Sequence, residues 1–219
     1  MSGLFETIRF REGKALFLSQ HIARLRRSCE ALARALPEPG LEERVRAHAH
    51  GADLIVRVML DELGERIESR PAPPVEPMRI VFSGTRHEPY PHKVTDRQMF
   101  DRARARVVPF RADEALLMAQ GGVLAEGCVT SIFFWLGPVL CTPALDIGIL
   151  PGIGRARVIE LAQENKIEVR EGRFTRPDIE GLPVFLANAV RGVLETAVHG
   201  DWRAVKDDRT SFLTQRFWG

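Results

Sequence analysis

Hydrophobic and polar residues alternate along several stretches of the chain, as they do in β-strands that bury one face. The first stretch, LFETIRF, is followed by REGK, whose Gly13 predicts a turn into a short second strand, ALFL. Further strands are predicted in DLIVRVML, MRIVFSG, EALLMAQ, TSIFFWL, PVLCTP, KIEVREG, PVFLAN and ETAVHGDW. Strands therefore dominate the predicted structure.

Apolar residues that recur every three or four positions predict helices between these strands. Ser19 is the expected N-cap of a helix from about Gln20 to Leu36, which PEPG ends. The predicted core-facing residues of this helix are Ile22, Leu25, Cys29, Leu32 and Leu36. Three more helices are expected near residues 41–49, 94–106 and 155–165.

Prolines and glycines divide the chain into two parts. RPAPPVEP separates two predicted strands, and GTRHEPYPH, residues 84–92, contains two prolines and a glycine. We therefore predict a small N-terminal α+β domain, residues 1–83, an interdomain connection, residues 84–92, and a larger domain, residues 93–219. The predicted fold class is mixed α+β, and the larger sheet could be barrel-like.

The charges of the chain are nearly balanced, because 31 basic and 29 acidic residues give a net charge of +2. So small an excess argues against nucleic acid or an acidic membrane surface as a partner. Arg102, Arg104 and Arg106 are interpreted as a solvated helix face. The three cysteines lack metal-binding spacing, so we expect reduced thiols and no metal. A polar N-terminus without a long apolar run predicts a soluble, cytoplasmic protein.

Lysine is rare in this chain, with only four among the 31 basic residues, and Lys93 lies in the segment PYPHKVTDRQ. A lysine amine can lose its proton and attack a carbonyl carbon, whereas a guanidinium group stays charged. Lys93 is thus either a remnant of an arginine-rich composition or a nucleophile. Its sequence alone leaves both interpretations open.

Other candidate residues are weak signals when taken one at a time. GILPGIGR, residues 148–155, precedes a predicted helix and could bind a phosphate, although such turns are common. Glu126 is interpreted as a surface turn residue or, less favoured, as a placed charge at a strand edge. Arg24 by itself suggests a solvated helix residue, and Asn188 a turn or cap residue.

Taken in order, these segments match a known family. The order of FETIR, HIARLRRSCEAL, a lysine before a helix, EGCVTSIFF, TPALDIGILPGIGR and FLANAVRGV resembles the fold type IV pyridoxal-phosphate enzymes, the class IV aminotransferase family. The resemblance runs from about residue 4 to residue 198. It implies a two-domain, D-amino acid aminotransferase-like α+β fold, the cofactor pyridoxal 5′-phosphate, a small amine or amino acid substrate and a homodimer.

The resemblance also implies roles for individual residues. Lys93 would bond the cofactor covalently, Glu126 would face its ring nitrogen, and Arg24 would bind its phosphate. Gly152, Ile153, Gly154 and Asn188 would also contact the phosphate. Gly154 stands where the family usually has Thr or Ser, and Ser131, also placed at the cofactor, stands where it often has Asn.

Substrate contacts and the reaction are less constrained by the resemblance. His87, Tyr90, His92, Arg97 and Arg191 are near the matched residues in sequence, and Arg97 is expected on the same helix as Lys93, facing the pocket or solvent. The segments LFETIR and FLANAVRGV favour 4-amino-4-deoxychorismate lyase, which releases pyruvate and forms 4-aminobenzoate. A branched-chain or D-amino acid transaminase is the alternative, and a non-catalytic pyridoxal-phosphate-binding protein is a weaker one.

Overall fold

The computed structural model describes residues 2–49, 53–198 and 205–219. These residues divide into two compact units. The smaller unit extends to Pro74 and also includes His92–Asp96, and the larger unit comprises Val75–Pro91 and Arg97–Gly219. Each unit contains both helices and strands, which confirms the α+β prediction.

The smaller unit is a four-stranded antiparallel sheet in the order β2-β1-β3-β4. Buried residues of β1 and β3 such as Ile8 and Val56 pack with Leu25 and Val45 of the helices. The element bounds are β1 Leu4–Arg11, β2 Lys14–Ala15, α1 Leu18–Ala31, α2 Leu41–Ala47, β3 Asp53–Asp61 and β4 Gly64–Pro71.

Helix α1 differs from its predicted bounds at both ends. It begins after Phe17, whose φ of 55° is left-handed, so Ser19 lies inside the helix and does not cap it. It ends at Ala31, and Ala33 with φ of 50° turns the chain away. Leu32 and Leu36 are consequently 38% and 54% exposed, so their assignment to the core face was wrong.

The strands of the smaller unit also differ from the predicted strands in two ways. Strand β2 is limited to two residues and does not cover ALFL, because Leu18 already begins α1. Strand β4 was not predicted. It is mostly exposed and, among the described strands, pairs only with β3, so its sequence GERIESRP lacks the apolar alternation of a buried strand.

The larger unit is built on an eight-stranded mixed sheet in the order β10-β9-β8-β11-β12-β5-β6-β7. The pairs β12–β5, β5–β6 and β9–β10 are parallel, and the remaining pairs are antiparallel. The strands are β5 Met78–Arg86, β6 Glu114–Met118, β7 Leu124–Gly127, β8 Ser131–Leu136, β9 Val139–Pro143, β10 Val169–Gly172, β11 Val184–Asn188 and β12 Gly192–Val198. The helices are α3 Gln98–Val107, α4 Ile153–Glu164, α5 Arg176–Ile179 and α6 Asp208–Arg216.

This sheet curls until its two edges meet. The Leu124 N–H at the start of β7 donates to the Phe174 carbonyl just beyond β10, at 2.6 Å, and Val123 pairs with Thr175. The enclosed core includes Ile80, Leu116, Ile132 and Leu186. A barrel-like larger sheet was expected, and the curled mixed sheet agrees with it.

Lys93 belongs to a short segment that pairs with the N-terminal residues of β1. The Phe5 N–H donates to the Lys93 carbonyl at 3.0 Å, the Thr95 N–H donates to the Gly3 carbonyl at 2.8 Å, and Leu4 and Val94 form an antiparallel bridge. Helix α3 begins only at Gln98. The prediction that Lys93 and Arg97 share a helix beginning near Val94 was therefore wrong.

Several other expectations can be compared with the described residues. Strand β5 lies in the eight-stranded sheet, whereas the sequence analysis assigned it to the first domain. The domain bounds 1–83, 84–92 and 93–219 stay a prediction.

All three cysteines are free and buried, and the arginines at 102, 104 and 106 are exposed. Residues 199–202 of the predicted last strand lie outside the described residues. None of the described helices is long and apolar enough to span a membrane.

Candidate active site

The Lys93 amine lies against the aromatic ring of Phe5 in the smaller unit. Its Nζ is 4.6 Å from the ring centroid, and the Arg57 guanidinium is 4.3 Å from the same centroid. Strand β1 supplies Phe5 and strand β3 supplies Arg57. Two cationic side chains therefore lie beside one ring, and no pattern in the sequence singles out Arg57.

Arg24 is fixed by a buried carboxylate. Its Nε and Nη2 donate to the two oxygens of Glu6 at 2.7 and 2.6 Å, and His21 Nδ1 lies 2.7 Å from Glu6 Oε2. His21 and Arg24 are three residues apart on α1, so they share the face that meets β1. All three residues are at most 5% exposed, so the interpretation of Arg24 as a solvated helix residue was wrong.

The protonation of this cluster follows from burial and charge. Burial alone would raise the pKa of Glu6, but Arg24 and His21 outweigh it and lower this pKa to about 2. Burial lowers the pKa of His21 despite the nearby Glu6, and the charges of Arg24 and Lys93 lower it further. Glu6 is thus ionised and accepts from the Nδ1–H of a neutral His21.

Glu126 is a buried carboxylate in the larger unit. It lies in β7, is 5% exposed, and its Oε1 accepts from His87 Nε2 at 2.9 Å and from the Leu150 N–H at 3.2 Å. His87 follows β5, and its ring is fully buried. The favoured interpretation of Glu126 as a surface turn residue was wrong. The sequence named His87 without a role, and its bond to a residue 39 positions away could not be foreseen.

A group of hydrogen-bond donors lies at the start of α4, also in the larger unit. Within the described part of the chain, no side chain caps this helix, and the N–H groups of Ile153, Gly154 and Arg155 have no acceptor. Ser131 is 7% exposed, and its side chain lies beside this helix start. A Cβ placed on Gly152 would lie 2.9 Å from the Ser131 Oγ, so glycine lets this hydroxyl approach the helix. The helix N-terminus and the hydroxyl together suit a phosphate.

Asn188 uses its side chain to hold two turns. Its Oδ1 accepts from the N–H groups of Val190 and Arg191 at 2.9 and 2.7 Å, and its Nδ2 donates to the Val129 carbonyl at 3.2 Å. The turn role that its position after an apolar strand suggests is therefore confirmed. The Arg191 guanidinium lies 3.8 Å from the Met78 sulfur.

Arg97 is also bonded within the larger unit. Its Nη2 donates to the Cys128 carbonyl, its Nη1 donates to the Tyr90 hydroxyl at 3.3 Å, and its guanidinium lies 4.4 Å from the Phe100 centroid. The side chain is half-buried, so it does not simply face solvent. No cluster of three or more histidine, cysteine or acidic residues in the described ranges could hold a metal ion.

Known proteins share both the sequence pattern and the fold. Residues 3–197 match the model of the family described as amino-transferase class IV. An aminodeoxychorismate lyase from Bacillus subtilis (strain 168) is 36% identical over 61 residues, which cover 28% of this chain and 21% of the relative. A "Probable branched-chain-amino-acid aminotransferase" from Rickettsia bellii (strain RML369-C) is 43% identical over 68 residues, 31% of this chain and 23% of the relative. The matched segments thus span less than a quarter of either relative.

The fold is shared over nearly the whole chain. The crystal structure of a branched-chain aminotransferase from Thermoproteus uzoniensis, with norvaline, superposes with a TM-score of 0.84 at 25% identity. The superposition covers 99% of this chain and 84% of the aminotransferase.

Proposed function

The chain belongs to the amino-transferase class IV family, and on that premise we propose that it catalyses the 4-amino-4-deoxychorismate lyase reaction. The family consists of pyridoxal-phosphate enzymes, so the resemblance, the fold class and the expectation of an enzyme with this cofactor are confirmed at the level of the family. The specific reaction, the substrate and the residue roles are the proposal.

The residues present fit pyridoxal 5′-phosphate. In the larger unit, the first N–H groups of α4 and the Ser131 hydroxyl are donors that suit its phosphate, and the Glu126 carboxylate suits its pyridine nitrogen. In the smaller unit, the resemblance implies that Arg24 would also bind the phosphate and that the Lys93 amine would bond the aldehyde carbon. When bound, the cofactor supplies an electron sink for negative charge on the carbon next to the substrate nitrogen.

Lys93 is proposed to bond the cofactor and then to move a proton. The Lys93 Nζ would hold the cofactor, and the same amine would take the proton from the substrate carbon. A guanidinium group can neither form this covalent bond nor take the proton, so Lys93→Arg is expected to abolish turnover.

The buried Glu126 carboxylate is the observation that carries the proposal. A carboxylate held in so dry a position suits a protonated pyridine nitrogen, which the bound cofactor would bring. His87 and the Leu150 N–H bind Oε1 and so orient the carboxylate. Glu126→Ala is expected still to bind the cofactor, although on the order of tenfold more weakly, and to slow proton removal severely.

The lyase is favoured over a transaminase by the segments LFETIR and FLANAVRGV and by the similarity to the Bacillus subtilis lyase. In this reaction 4-amino-4-deoxychorismate loses pyruvate, and its ring becomes aromatic as 4-aminobenzoate. The similarity to aminotransferases keeps an amino acid transaminase as the second candidate. Substrate contacts by Arg97 and Arg191, a homodimer and a cytoplasmic location remain predictions.

The visible spectrum with added pyridoxal 5′-phosphate tests the cofactor and the lysine together. We expect an absorption band in the wild type that is absent from Lys93→Ala. With 4-amino-4-deoxychorismate, pyruvate release without conversion of the cofactor to its amine form indicates a lyase. Conversion of the cofactor by an amino acid would indicate a transaminase, and a lack of any lysine-dependent band at saturating cofactor would overturn the mechanism.

A further inference from the structure

Glu114 is a second buried carboxylate of the larger unit, and the proposed function leaves it without a role. It begins β6 and is 1% exposed. Its Oε1 accepts from the N–H groups of Ala115 and Cys128 at 3.0 and 2.9 Å. Its Oε2 accepts from the Val129 N–H at 3.1 Å and from the Thr130 hydroxyl at 2.9 Å. Three of these four donors belong to consecutive residues of one turn.

This turn, residues 127–130, joins two candidate cofactor contacts. It connects β7 to β8 and is closed by the Gly127 N–H, which donates to the Thr130 carbonyl at 2.8 Å. Glu126 directly precedes the turn and Ser131 directly follows it. The shape of the 127–130 turn therefore sets the distance and the relative direction of the Glu126 carboxylate and the Ser131 hydroxyl.

Gly127 shows how closely the turn fits around Glu114. A Cβ on this residue would lie 2.3 Å from the Thr130 Oγ1 and 2.9 Å from the Glu114 Cδ. The α-carbon of Gly127 is thus in direct contact with both groups, and any side chain would displace them.

Two other side chains complete the hold on the 127–130 turn. Arg97 donates to the Cys128 carbonyl, and Asn188 donates to the Val129 carbonyl. Glu114 accepts hydrogen bonds from the N–H groups of Cys128 and Val129, while Arg97 and Asn188 donate to the carbonyl groups of the same two residues. The backbone of the turn is bonded on both sides, so its geometry is set by these three side chains.

A carboxylate is specifically suited to the donor pattern of this turn. It has two oxygens that only accept, and here each oxygen meets two donors. An amide would replace one oxygen with an NH₂ group, which would face the Val129 N–H or the Cys128 N–H. Burial raises the pKa of Glu114, and the hydrogen bonds from Val129 and Thr130 oppose this rise, so losing a donor would make the buried charge costlier.

We propose that Glu114 is a positioning residue that holds the 127–130 turn so that Glu126 meets the cofactor ring nitrogen and Ser131 meets its phosphate. This role rests on the proposed function. Glu114 touches neither cofactor nor substrate and acts through the turn alone.

The test compares variants that alter the acceptor, the donor and the overall stability separately. Glu114→Gln changes the acceptor pattern, Thr130→Val removes one donor, and Thr130→Ser keeps the hydroxyl. Leu213→Ala, in the buried face of α6, is the control for general destabilisation. For each variant, amide hydrogen exchange of residues 126–131 is measured without cofactor. Affinity for pyridoxal 5′-phosphate and the visible spectrum are then measured with cofactor, under conditions where urea unfolding shows the protein to be folded.

We expect Glu114→Gln and Thr130→Val to exchange faster in residues 126–131 than wild type and to bind the cofactor on the order of tenfold more weakly, with an altered spectrum. Thr130→Ser should behave like wild type, and Leu213→Ala should lose stability without the change in spectrum. Unchanged exchange in Glu114→Gln and Thr130→Val would overturn the hold on the turn. Faster exchange with unchanged cofactor affinity and spectrum would overturn the positioning role.

The lysine-dependent absorption band of the wild type tests the proposed function separately from the role of Glu114. If it shows no lysine-dependent band, the proposed function fails and the positioning role fails with it. The exchange measurement, which needs no cofactor, still decides whether Glu114 holds the turn.

Discussion

Gly154 has no space for a side chain, although the family usually has Thr or Ser at this position. An added Cβ would lie 2.4 Å from the carbonyl carbon of Asn188 and 2.7 Å from the Ala189 nitrogen. The first turn of α4 therefore packs directly on the backbone that follows β11. Glycine permits this close approach, and the N–H of Gly154 remains available to an anion.

A serine at position 154, which would restore the family's hydroxyl, is consequently expected to destabilise the protein. Gly154→Ser should lower the free energy of unfolding by about 1–3 kcal/mol, because the backbone of Asn188 has to move. Ala156→Ser, on the exposed face of the same helix, should change it by no more than about 0.5 kcal/mol. Urea unfolding of both variants checks this, and equal stabilities would show that the contact with Asn188 is not tight.

His87 offers a second prediction for a single residue. His87→Phe keeps an aromatic ring beside Phe100 but removes the donor to Glu126 Oε1. The carboxylate should then lose its fixed orientation, and affinity for pyridoxal 5′-phosphate should fall on the order of tenfold. Fluorescence titration with the cofactor measures this. His48→Phe, in the smaller unit, is the control, and equal affinities of the two variants would contradict the prediction.

Among the elements, the strands rich in apolar residues were the ones that the sequence predicted well. Alternation identifies β1 and β3, and a continuous apolar run identifies β8, whereas β4 is a polar edge strand without either signal. Partners far apart in sequence are invisible to periodicity, so neither the His87–Glu126 bond nor the Glu114 contacts could be predicted. The candidate cofactor residues came from the family resemblance, because local patterns alone favoured solvent-exposed roles for Glu126 and Arg24.

The early end of α1 gives a prediction at this scale. Leu25 is 2% exposed within the helix, whereas Leu36 is 54% exposed beyond its end. Leu25→Ala should therefore cost about 2–5 kcal/mol of unfolding free energy, and Leu36→Ala no more than about 0.5 kcal/mol. Thermal or urea unfolding distinguishes the two. A large loss for Leu36→Ala would mean that the helix continues and packs as its apolar spacing first suggested.

For the whole molecule, the buried Glu6–His21 pair predicts how stability depends on pH. The pKa of Glu6 falls from 4.5 to about 2 on folding, so the stability that it contributes above pH 4.5 is lost as the pH falls towards 2. The pKa of His21 is also lowered from 6.5. Below pH 6.5 the unfolded chain therefore takes up a proton that the folded chain does not, and stability begins to decline there.

Urea unfolding at a series of pH values checks this dependence. Glu6→Gln should be less stable than wild type at pH 7, and its stability should change less between pH 4.5 and 2. Glu38→Gln, which alters an exposed carboxylate, should follow the wild-type curve. A Glu6→Gln curve parallel to wild type throughout would contradict the lowered pKa.

The pairing of residues 93–95 with the N-terminal strand has a consequence for the newly made chain. Gly3 and Thr95 are bonded across 92 positions, so the start of β1 emerges from the ribosome long before its partner is made. Strand β1 can pair with β3 first, but the segment that carries Lys93 is fastened only when residue 95 has followed. The lysine proposed to bond the cofactor thus joins the small sheet only in a chain that has been made past residue 95.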